Sequence, residues 1–247
     1  MRHLSVAALL FGAAAAAGAQ STAWSYVGKD GPMNWGRLDR AYRACLDGHQ
    51  QSPIDIRGAK LNKALAPIEY HYISGPVTLE NDGHTIVGHV NPGSYIIADG
   101  TRYELQEFHF HHPSEEAVKG KLTDMSVHLV HSSPDGKLAV IAVRLVMDRG
   151  DPNAVMAMLW PHLPATAGKL ETITDMVNPA GLLPGDRSYW TYTGSLTTPP
   201  CTEGVRWFVY QQPVSISNAQ LNGFTSLFRV NSRPLQEAHG RRIEASE

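Results

Sequence analysis

The chain has 247 residues, of which 43% are hydrophobic and 18% charged, and its formal net charge is -2. This composition excludes a long disordered chain, and the charge gives no electrostatic reason to expect nucleic acid or an anionic membrane surface as a partner. The length suits one large domain or two small ones, because single all-β domains of roughly 200–250 residues are common.

The N-terminus has the three-part pattern of a secretory signal peptide. A basic start at Arg2 precedes an apolar, alanine-rich run over residues 4–17, and residues 17–19 are the small residues of a cleavage site. A membrane anchor is the alternative, but the run is short for the ~30 Å hydrocarbon core of a bilayer. We therefore predict a signal peptide at residues 1–19 and one domain at residues 20–247, located in the periplasm or secreted, with no membrane partner after cleavage.

Beyond the signal peptide, turn signals rich in Gly, Pro, Asn and Asp separate short runs with strand character. Two of these runs are almost continuously apolar, which is typical of strands buried on both faces of a large sheet. They are residues 138–147 and 205–210. In chain order, strands are predicted at residues 68–73, 77–79, 85–89, 94–98, 103–112, 124–132, 138–147, 189–193 and 205–210.

Few segments have helical character. Helices are predicted at residues 154–163, 170–176 and 218–227, the last of them capped by Ser215 or Ser217. Strands therefore outnumber helices, and one predominantly β domain with a few peripheral helices fits best.

The chain contains two cysteines, Cys45 and Cys201. In an exported protein an even number of cysteines is most simply explained by one disulfide, and two separate thiols are the alternative.

Histidines give the most informative pattern. His109 and His111 alternate with Phe108 and Phe110, so in a strand the two imidazoles point to one face. His128 lies in the next predicted strand, and antiparallel pairing would let it face the first two. Three imidazoles match a catalytic zinc site, which leaves the fourth position to water. From spacing alone, hydrogen-bonded structural histidines are the alternative, and imidazole also suits copper, iron and nickel.

Several motifs in one order resemble the alpha-class carbonic anhydrases, in particular their exported bacterial members, from Trp24 onward. The resemblance implies a mainly β single domain with a large, mostly antiparallel twisted central sheet and short peripheral helices. It also implies reversible hydration of carbon dioxide to bicarbonate and a proton, through zinc-bound hydroxide. The motifs are Gln51-Ser52-Pro53-Ile54-Asp55-Ile56, Asn81-Asp82-Gly83-His84, Phe108-His109-Phe110-His111, Ser114-Glu115, His128-Leu129-Val130-His131, Ser195-Leu196-Thr197-Thr198-Pro199-Pro200 and Asn231-Ser232-Arg233-Pro234.

The resemblance also assigns catalytic roles by position. Thr197 would accept a hydrogen bond from the hydroxide and donate its own proton to an ionised Glu115, although by itself it reads as a turn residue before two prolines. His84 would carry protons between the metal and the solvent, although it also suits a surface loop. The ligands of Zn²⁺ would be His109, His111 and His128.

Other positions match the substrate pocket and its surroundings. Carbon dioxide would lie against an apolar wall, although the same residues would pass as ordinary core. Tyr26 and Thr198 would hold the water network, and Cys45 and Cys201 match the disulfide of exported members. The residues predicted to bind the substrate are Val130, Val140, Leu196, Thr197, Thr198 and Trp207.

The chain departs from the best-known animal members of this class behind two of the metal ligands. Glu107 stands where a Gln supports the first histidine, and Ser126 stands where a Glu supports the third; Asn231 matches the remaining outer position. A carboxylate makes an imidazole more electron-donating and a serine makes it less so, and the two changes partly offset each other. We therefore expect the pKa of zinc-bound water to stay within about one unit of 7.

Two other functions compete with this interpretation. One is a catalytically inactive binding module with the same fold, and the other is a cupin-type metalloenzyme, which also uses two alternating histidines and a later one. The expected partner is the small-molecule pair of carbon dioxide and bicarbonate, and the expected assembly is a monomer or a homodimer.

Overall fold

The computed structural model describes residues 23–148 and 151–247. The predicted signal peptide at residues 1–19 lies outside the described residues. Its cleavage and the domain boundary at residue 20 stay predictions. No helix in the described ranges is long and apolar enough to span a membrane.

Strands form most of the regular structure in the described part of the chain. They are β1 (Asp55–Ile56), β2 (Lys60–Leu61), β3 (Glu69–His71), β4 (Gly75–Asn81), β5 (Ile86–Val90), β6 (Tyr95–Ala98), β7 (Thr101–His111), β8 (Ala117–Val118), β9 (Met125–Ser132), β10 (Leu138–Met147), β11 (Leu170–Val177), β12 (Tyr189–Ser195), β13 (Glu203–Tyr210), β14 (Val214–Ile216) and β15 (Glu244–Ala245).

One sheet of 13 strands contains all of these except β1 and β8, which form a separate parallel pair. Its main path runs β11-β4-β5-β7-β9-β10-β13-β12-β15-β2, with β6 beside β7, β3 beside β6 and β14 beside β10. The predicted large, mostly antiparallel sheet is confirmed, but the sheet is mixed. Strand β10 runs parallel to β13 and β14, and β15 runs parallel to β2.

Strand β10 divides its side chains between two apolar layers, as its nearly continuous apolar sequence predicts. Ile141 and Val143 pack into the larger core cluster with the aromatic side chain of Phe108. Val140 and Ala142 point to the other face and join a smaller cluster. That smaller cluster matters for function, because the face that it covers also carries His128, the candidate metal ligand of β9.

Helices in the described residues are short, as predicted: α1 (Trp35–Leu38), α2 (Ala44–Asp47), α3 (Ala154–Leu159) and α4 (Asn218–Thr225). A 3-10 turn at Trp160–His162 extends α3 across most of the predicted helix. Helix α4 begins after Ser217, whose side chain accepts a hydrogen bond from the N–H of Gln220. The Gln220 side chain accepts from the N–H of Ser217 in return, which completes a capping box.

The helix predicted at residues 170–176 is wrong. These residues lie in β11, an edge strand that pairs antiparallel with β4. Ile173 and Val177 are its buried residues, and their spacing of four suggests one face of a helix. A strand also returns to the same face every second residue, so this spacing does not separate the two structures. A register shift between Ile173 and Val177 further disturbs the alternation.

The pairing of β7 with β9 brings the metal-site histidines together, as predicted. His109 lies directly opposite His128, and the strands are antiparallel. On its other edge β7 pairs with β5, where Gly88 lies opposite Phe108. A Cβ atom at Gly88 would come within 2.2 Å of the Phe108 ring, so only glycine lets this ring pack behind the histidines.

Candidate metal centre

Three histidines converge where β7 and β9 pair. The alternation of β7 places His109 and His111 on one face, and the register with β9 adds His128. One potential ligand nitrogen from each ring lies within 4.8 Å of the others. His111 and His128 are both 1% exposed, so a bound ion would be largely shielded by protein.

Each of the three rings has one nitrogen held by an oxygen acceptor. Nδ1 of His109 lies 2.9 and 3.0 Å from the two carboxylate oxygens of Glu107. Nδ1 of His111 lies 2.8 Å from the backbone oxygen of Asn231, and Nε2 of His128 lies 2.8 Å from Oε1 of Glu116. Ionised carboxylate and carbonyl oxygens only accept hydrogen bonds, so these ring nitrogens are the donors.

The opposite nitrogens are therefore unprotonated in the neutral rings and available to a metal. They are Nε2 of His109, Nε2 of His111 and Nδ1 of His128. The Nε2 atom of His111 is buried and has no hydrogen-bond partner, although such atoms are normally satisfied. Three neutral imidazoles with their outer nitrogens fixed by acceptors form the donor set of a catalytic zinc site.

The prediction that Ser126 supports His128 is wrong. The Ser126 hydroxyl accepts a hydrogen bond from the backbone N–H of Glu115 at 3.3 Å. The residue that contacts the outer nitrogen of His128 is Glu116, which is 0% exposed. Ser126 is two residues before His128 on the same strand face, but its side chain is short. A carboxylate from the segment after β7 fills this place instead.

Sequence reasoning therefore missed Glu116. The sequence feature that could have indicated its role is the pair of consecutive acidic residues Glu115-Glu116, together with the absence of an acidic residue at position 126. The other two predicted supports, Glu107 and Asn231, do contact their histidines, although Asn231 uses its backbone oxygen. The Asn231 side chain holds the surrounding backbone, because it donates to the carbonyls of Phe110 and His84.

Glu115 and Thr197 lie together beside the histidines. Burial raises the pKa of Glu115 to about 7, and the nearby His128 lowers it. The backbone N–H of Arg233, which donates to Oε1 of Glu115 at 2.8 Å, and the Thr197 side chain also lower this pKa. Oε2 of Glu115 is 3.6 Å from Nε2 of His111. The predicted Thr197–Glu115 pair is thus placed next to the metal ligands.

The loop that carries Thr197 is fixed on both sides. The predicted disulfide between Cys45 and Cys201 is present. The backbone oxygen of Cys201 accepts a hydrogen bond from the Gln51 side chain at 3.0 Å. Within the loop, the N–H of Cys201 donates to the carbonyl of Thr198 at 2.8 Å. The disulfide therefore anchors the turn that presents Thr197.

A cleft of about 250 Å³ leads from solvent to the histidines. Its walls include Trp24, Tyr26, His84, Glu107 and Thr198. The His84 ring stacks on Trp24 with centroids 3.7 Å apart. Burial lowers the pKa of His84 below its usual value, and the Asp82 carboxylate acts in the opposite direction. His84 thus lies on the route between the histidine cluster and bulk solvent.

The four residues of the predicted apolar wall lie in one cluster. Val140 and Trp207 are buried members of the smaller core cluster, and Val130 and Leu196 pack against it while partly exposed. The Trp207 ring contacts the His128 ring edge to face, with centroids 5.0 Å apart. The apolar surface therefore reaches the metal ligands.

The two histidines that flank the ligand motifs have structural partners. Nδ1 of His112 lies 2.8 Å from the backbone oxygen of Arg229. His131 is buried, and its Nε2 is 2.7 Å from the Tyr72 hydroxyl. Burial lowers the pKa of His131 to about 3. Neither belongs to the histidine cluster that can hold a metal.

Comparisons with known proteins show the family of the chain. The model of the eukaryotic-type carbonic anhydrase family matches residues 30–247. A carbonic anhydrase from Klebsiella pneumoniae is 42% identical over 221 residues, which cover 88% of this chain and 89% of the relative. One from Pectobacterium carotovorum is 39% identical over 241 residues, covering 97% and 98%. The alpha-carbonic anhydrase of Thermovibrio ammonificans, solved with the inhibitor sulfanilamide, has a TM-score of 0.88 at 37% identity, covering 92% of this chain and 100% of that one.

The chain therefore belongs to the eukaryotic-type, or alpha-class, carbonic anhydrase family. It is a lyase that hydrates carbon dioxide reversibly to bicarbonate and a proton. Neither a cupin-type metalloenzyme nor a catalytically inactive binding module is favoured, because high-coverage relatives are carbonic anhydrases.

Proposed function

We propose that this chain hydrates carbon dioxide with a zinc ion held by Nε2 of His109, Nε2 of His111 and Nδ1 of His128. The observation that carries the proposal is the pairing of each opposite ring nitrogen with an oxygen acceptor. That arrangement fixes all three tautomers with their free nitrogens on the cluster side. Bound zinc would lower the pKa of its water to about 7, which supplies the nucleophile at neutral pH.

Thr197 and Glu115 orient the reacting groups. Glu115 accepts the backbone N–H of Arg233, and this hydrogen bond favours the ionised carboxylate. An ionised Glu115 can only accept, so the Thr197 hydroxyl donates to it and presents its own lone pair to the cluster. The Thr197 hydroxyl can then accept a hydrogen bond only from the cluster side, which would fix the orientation of the attacking group.

The substrate is small and uncharged, and an apolar surface suits it. Val130, Val140, Leu196 and Trp207 provide this surface beside His128. No charged side chain is needed to bind carbon dioxide there. Thr198, at the wall of the cleft, can hold water or the bicarbonate product by hydrogen bonding.

His84 receives the proton released by each turnover and passes it to solvent. Its ring lies at the cleft wall, half-buried against Trp24, so it can reach both the interior and bulk water. An imidazole titrates near neutral pH and can both accept and release the proton. Tyr26 shares the cleft, and burial raises the pKa of its phenol well above 10.0, which keeps it a neutral hydrogen-bonding group for water.

An exported location is also part of the proposal. Its support is the signal-peptide pattern at residues 1–19 and the disulfide, which persists in oxidising compartments. The periplasm or the extracellular medium fits both features. A monomer or a homodimer remains the expected assembly, with carbon dioxide and bicarbonate as its small-molecule partners.

The test is stopped-flow hydration of carbon dioxide by the chain from Gln20 onward, with and without a zinc chelator. We expect hydration that chelation abolishes and zinc restores. His111→Ala removes one buried ligand and is expected to lose both zinc and activity. His239→Ala, at an exposed histidine, is the matched control and should keep both.

A folded protein with one zinc per chain and no hydration would contradict the proposal. Sulfanilamide, the inhibitor bound to the Thermovibrio ammonificans relative, serves as a second probe. Inhibition that requires zinc would place the reaction at the metal.

A further inference from the structure

Glu116 is a completely buried carboxylate that contacts a metal ligand. Its Oε1 accepts from Nε2 of His128 at 2.8 Å, and its Oε2 has no hydrogen-bond partner. A single hydrogen bond from a neutral imidazole is little compensation for burying a charge. Buried charges normally have a partner of opposite sign.

Arg144 is a buried cation on the same sheet face that makes no direct hydrogen bond to Glu116 and acts on it at longer range. It lies on β10 directly opposite Ser126 of β9, so both side chains leave the same face of the sheet as His128. Arg144 is 9% exposed, and its Nη2 donates to the backbone oxygen of Gln211 at 2.6 Å. Its Nε is buried without a hydrogen-bond partner. Burial lowers the pKa of Arg144 below its usual value, and the charge of Glu116 acts in the opposite direction.

The local backbone brings Glu116 to this place. Glu116 directly precedes β8, which pairs parallel with β1 through Ala117 and Asp55. Ser114 fixes the other side, because its hydroxyl donates to the carbonyl of Glu116 and accepts from the N–H of Thr123. The segment therefore lies over the sheet face that carries His128. The small side chain of Ser126 leaves room for the carboxylate.

We propose that Glu116 is the positioning residue of His128 and that Arg144 supplies a countercharge at longer range, in place of the Glu that animal members carry at the position of Ser126. The inference rests on the proposed zinc function. Glu116 holds the Nε2–H of His128, and the lone pair of Nδ1 then points to the other metal ligands. Without this acceptor the ring can rotate or change tautomer, and it is a poorer ligand.

The first experiment measures the rate of zinc release to a chromogenic chelator from the loaded protein. Glu116→Ala is expected to release zinc about 10–100-fold faster than the unchanged chain. The control is Glu69→Gln at an exposed carboxylate, which should leave the rate unchanged. Equal rates for Glu116→Ala and the unchanged chain would overturn the proposal.

The second experiment moves the carboxylate. Glu116→Ala combined with Ser126→Glu places the acid at the expected position on β9, still opposite Arg144. We expect this double variant to recover slow zinc release and the visible absorption spectrum of the cobalt-substituted protein. A merely structural role for Glu116 would not be restored by a carboxylate at another position, so failure of a folded double variant to recover counts against the proposal.

The third experiment tests the charge pair and guards against misfolding. Glu116→Gln keeps the size of the side chain and an oxygen acceptor, and we expect zinc release about tenfold faster, at the lower end of the range for outer ligand supports. The variants Glu116→Gln and Arg144→Gln are also combined. The shift of the unfolding midpoint in the double variant should be smaller than the sum of the shifts in the two single variants. Unchanged zinc release in Glu116→Gln, or additive effects on the midpoint, would overturn the corresponding half of the proposal.

These outcomes separate the inference from the proposed function. If the unchanged chain binds no zinc or hydrates no carbon dioxide, the proposed function fails. If the unchanged chain does both and Glu116→Ala retains its zinc equally well, the function stands and the role of Glu116 fails.

Discussion

Glu115 and Glu116 are consecutive residues whose buried carboxylates serve different partners. Glu115 accepts from the backbone of Arg233 and lies beside Thr197, whereas Glu116 accepts from His128. Glu115 lies in a bend and Glu116 directly precedes β8, so one short stretch reaches both partners.

Removing the Thr197 hydroxyl should slow catalysis without releasing the metal. Thr197→Ala is expected to lower kcat/KM by roughly 10–100-fold, because the reacting groups lose their orientation. Zinc content should be unchanged, since Thr197 is not a ligand. Stopped-flow hydration and metal analysis check both expectations. Thr197→Ser keeps a hydroxyl and should recover most of the rate; an equal loss in both variants would contradict the hydrogen-bonding role.

Replacing both cysteines by serine should destabilise the protein. The disulfide joins Cys45 to Cys201 across a sequence separation of 156. Loss of a native disulfide typically costs about 2–5 kcal/mol of unfolding free energy. Urea unfolding of the chain and of the double Cys→Ser variant measures the difference. A reducing agent should lower the stability of the original chain and leave that of the variant unaffected, and equal sensitivity would be inconsistent with this prediction.

His131 should make the protein less stable in mild acid. Burial lowers its folded-state pKa to about 3 from an ordinary value of 6.5. Well above pH 6.5, His131 is neutral in both the folded and the unfolded chain, so its protonation does not reduce the free energy of unfolding. As the pH falls toward 3, the unfolded chain binds a proton that the folded chain does not, and unfolding becomes more favourable by about 1.4 kcal/mol per pH unit.

A variant isolates this effect. His131→Gln does not titrate, so between pH 7.5 and pH 5 it should lose about 2 kcal/mol less unfolding free energy than the original chain. Urea unfolding at the two pH values gives the comparison. His239→Gln, at an exposed histidine, is the control and should retain the original pH dependence. Identical slopes for His131→Gln and the original chain would refute the prediction.

Glu107 should tune the pH dependence of activity. Its carboxylate accepts from Nδ1 of His109, which makes this ring more electron-donating. The offset expected from Ser126 is absent, because Glu116 places a second carboxylate behind the metal ligands, so both supports raise the midpoint of the pH–rate profile. Glu107→Gln weakens electron donation to the metal and should move the midpoint downward. A midpoint that stays fixed or rises in the variant would show that this hydrogen bond does not set it.

His84 should limit turnover through proton release. His84→Ala is expected to lower kcat by about 100-fold in dilute buffer, the lower end of the loss typical of a missing acid–base group. Added imidazole should restore the rate, because it carries the proton in place of the side chain. His89→Ala, at an exposed histidine on β5, is the control. Loss of activity that no concentration of imidazole restores would argue for a structural role of His84.

Short-range patterns predicted much of this molecule. Alternation of His109 and His111 with Phe108 and Phe110 was enough to place both imidazoles on one face, and the next strand supplied His128. Apolar runs correctly predicted the buried central strands β10 and β13. These features depend on the period of a strand, which the sequence contains directly.

Other features depend on three-dimensional contacts that no local pattern encodes. The support of His128 by Glu116 follows from the backbone path after β7 and the pairing of β8 with β1. The apolar residues at 173 and 177 suit one face of a helix and also one face of a strand. This is why the helix predicted over residues 170–176 is in fact a strand over residues 170–177. In each case the sequence allowed two interpretations, and packing against distant segments decided between them.

The metal ligands come earlier in the chain than the residues that complete the site. His109, His111 and His128 lie on neighbouring strands, and contacts this close in sequence form early and quickly. Thr197 and Asn231 come from the last quarter of the chain, and Cys201 must meet Cys45 from near its beginning. During synthesis, the three imidazoles emerge well before the residues that orient the reaction. The three ligand positions are therefore synthesised before the oxygen acceptor of His111 and before the groups that orient the reaction.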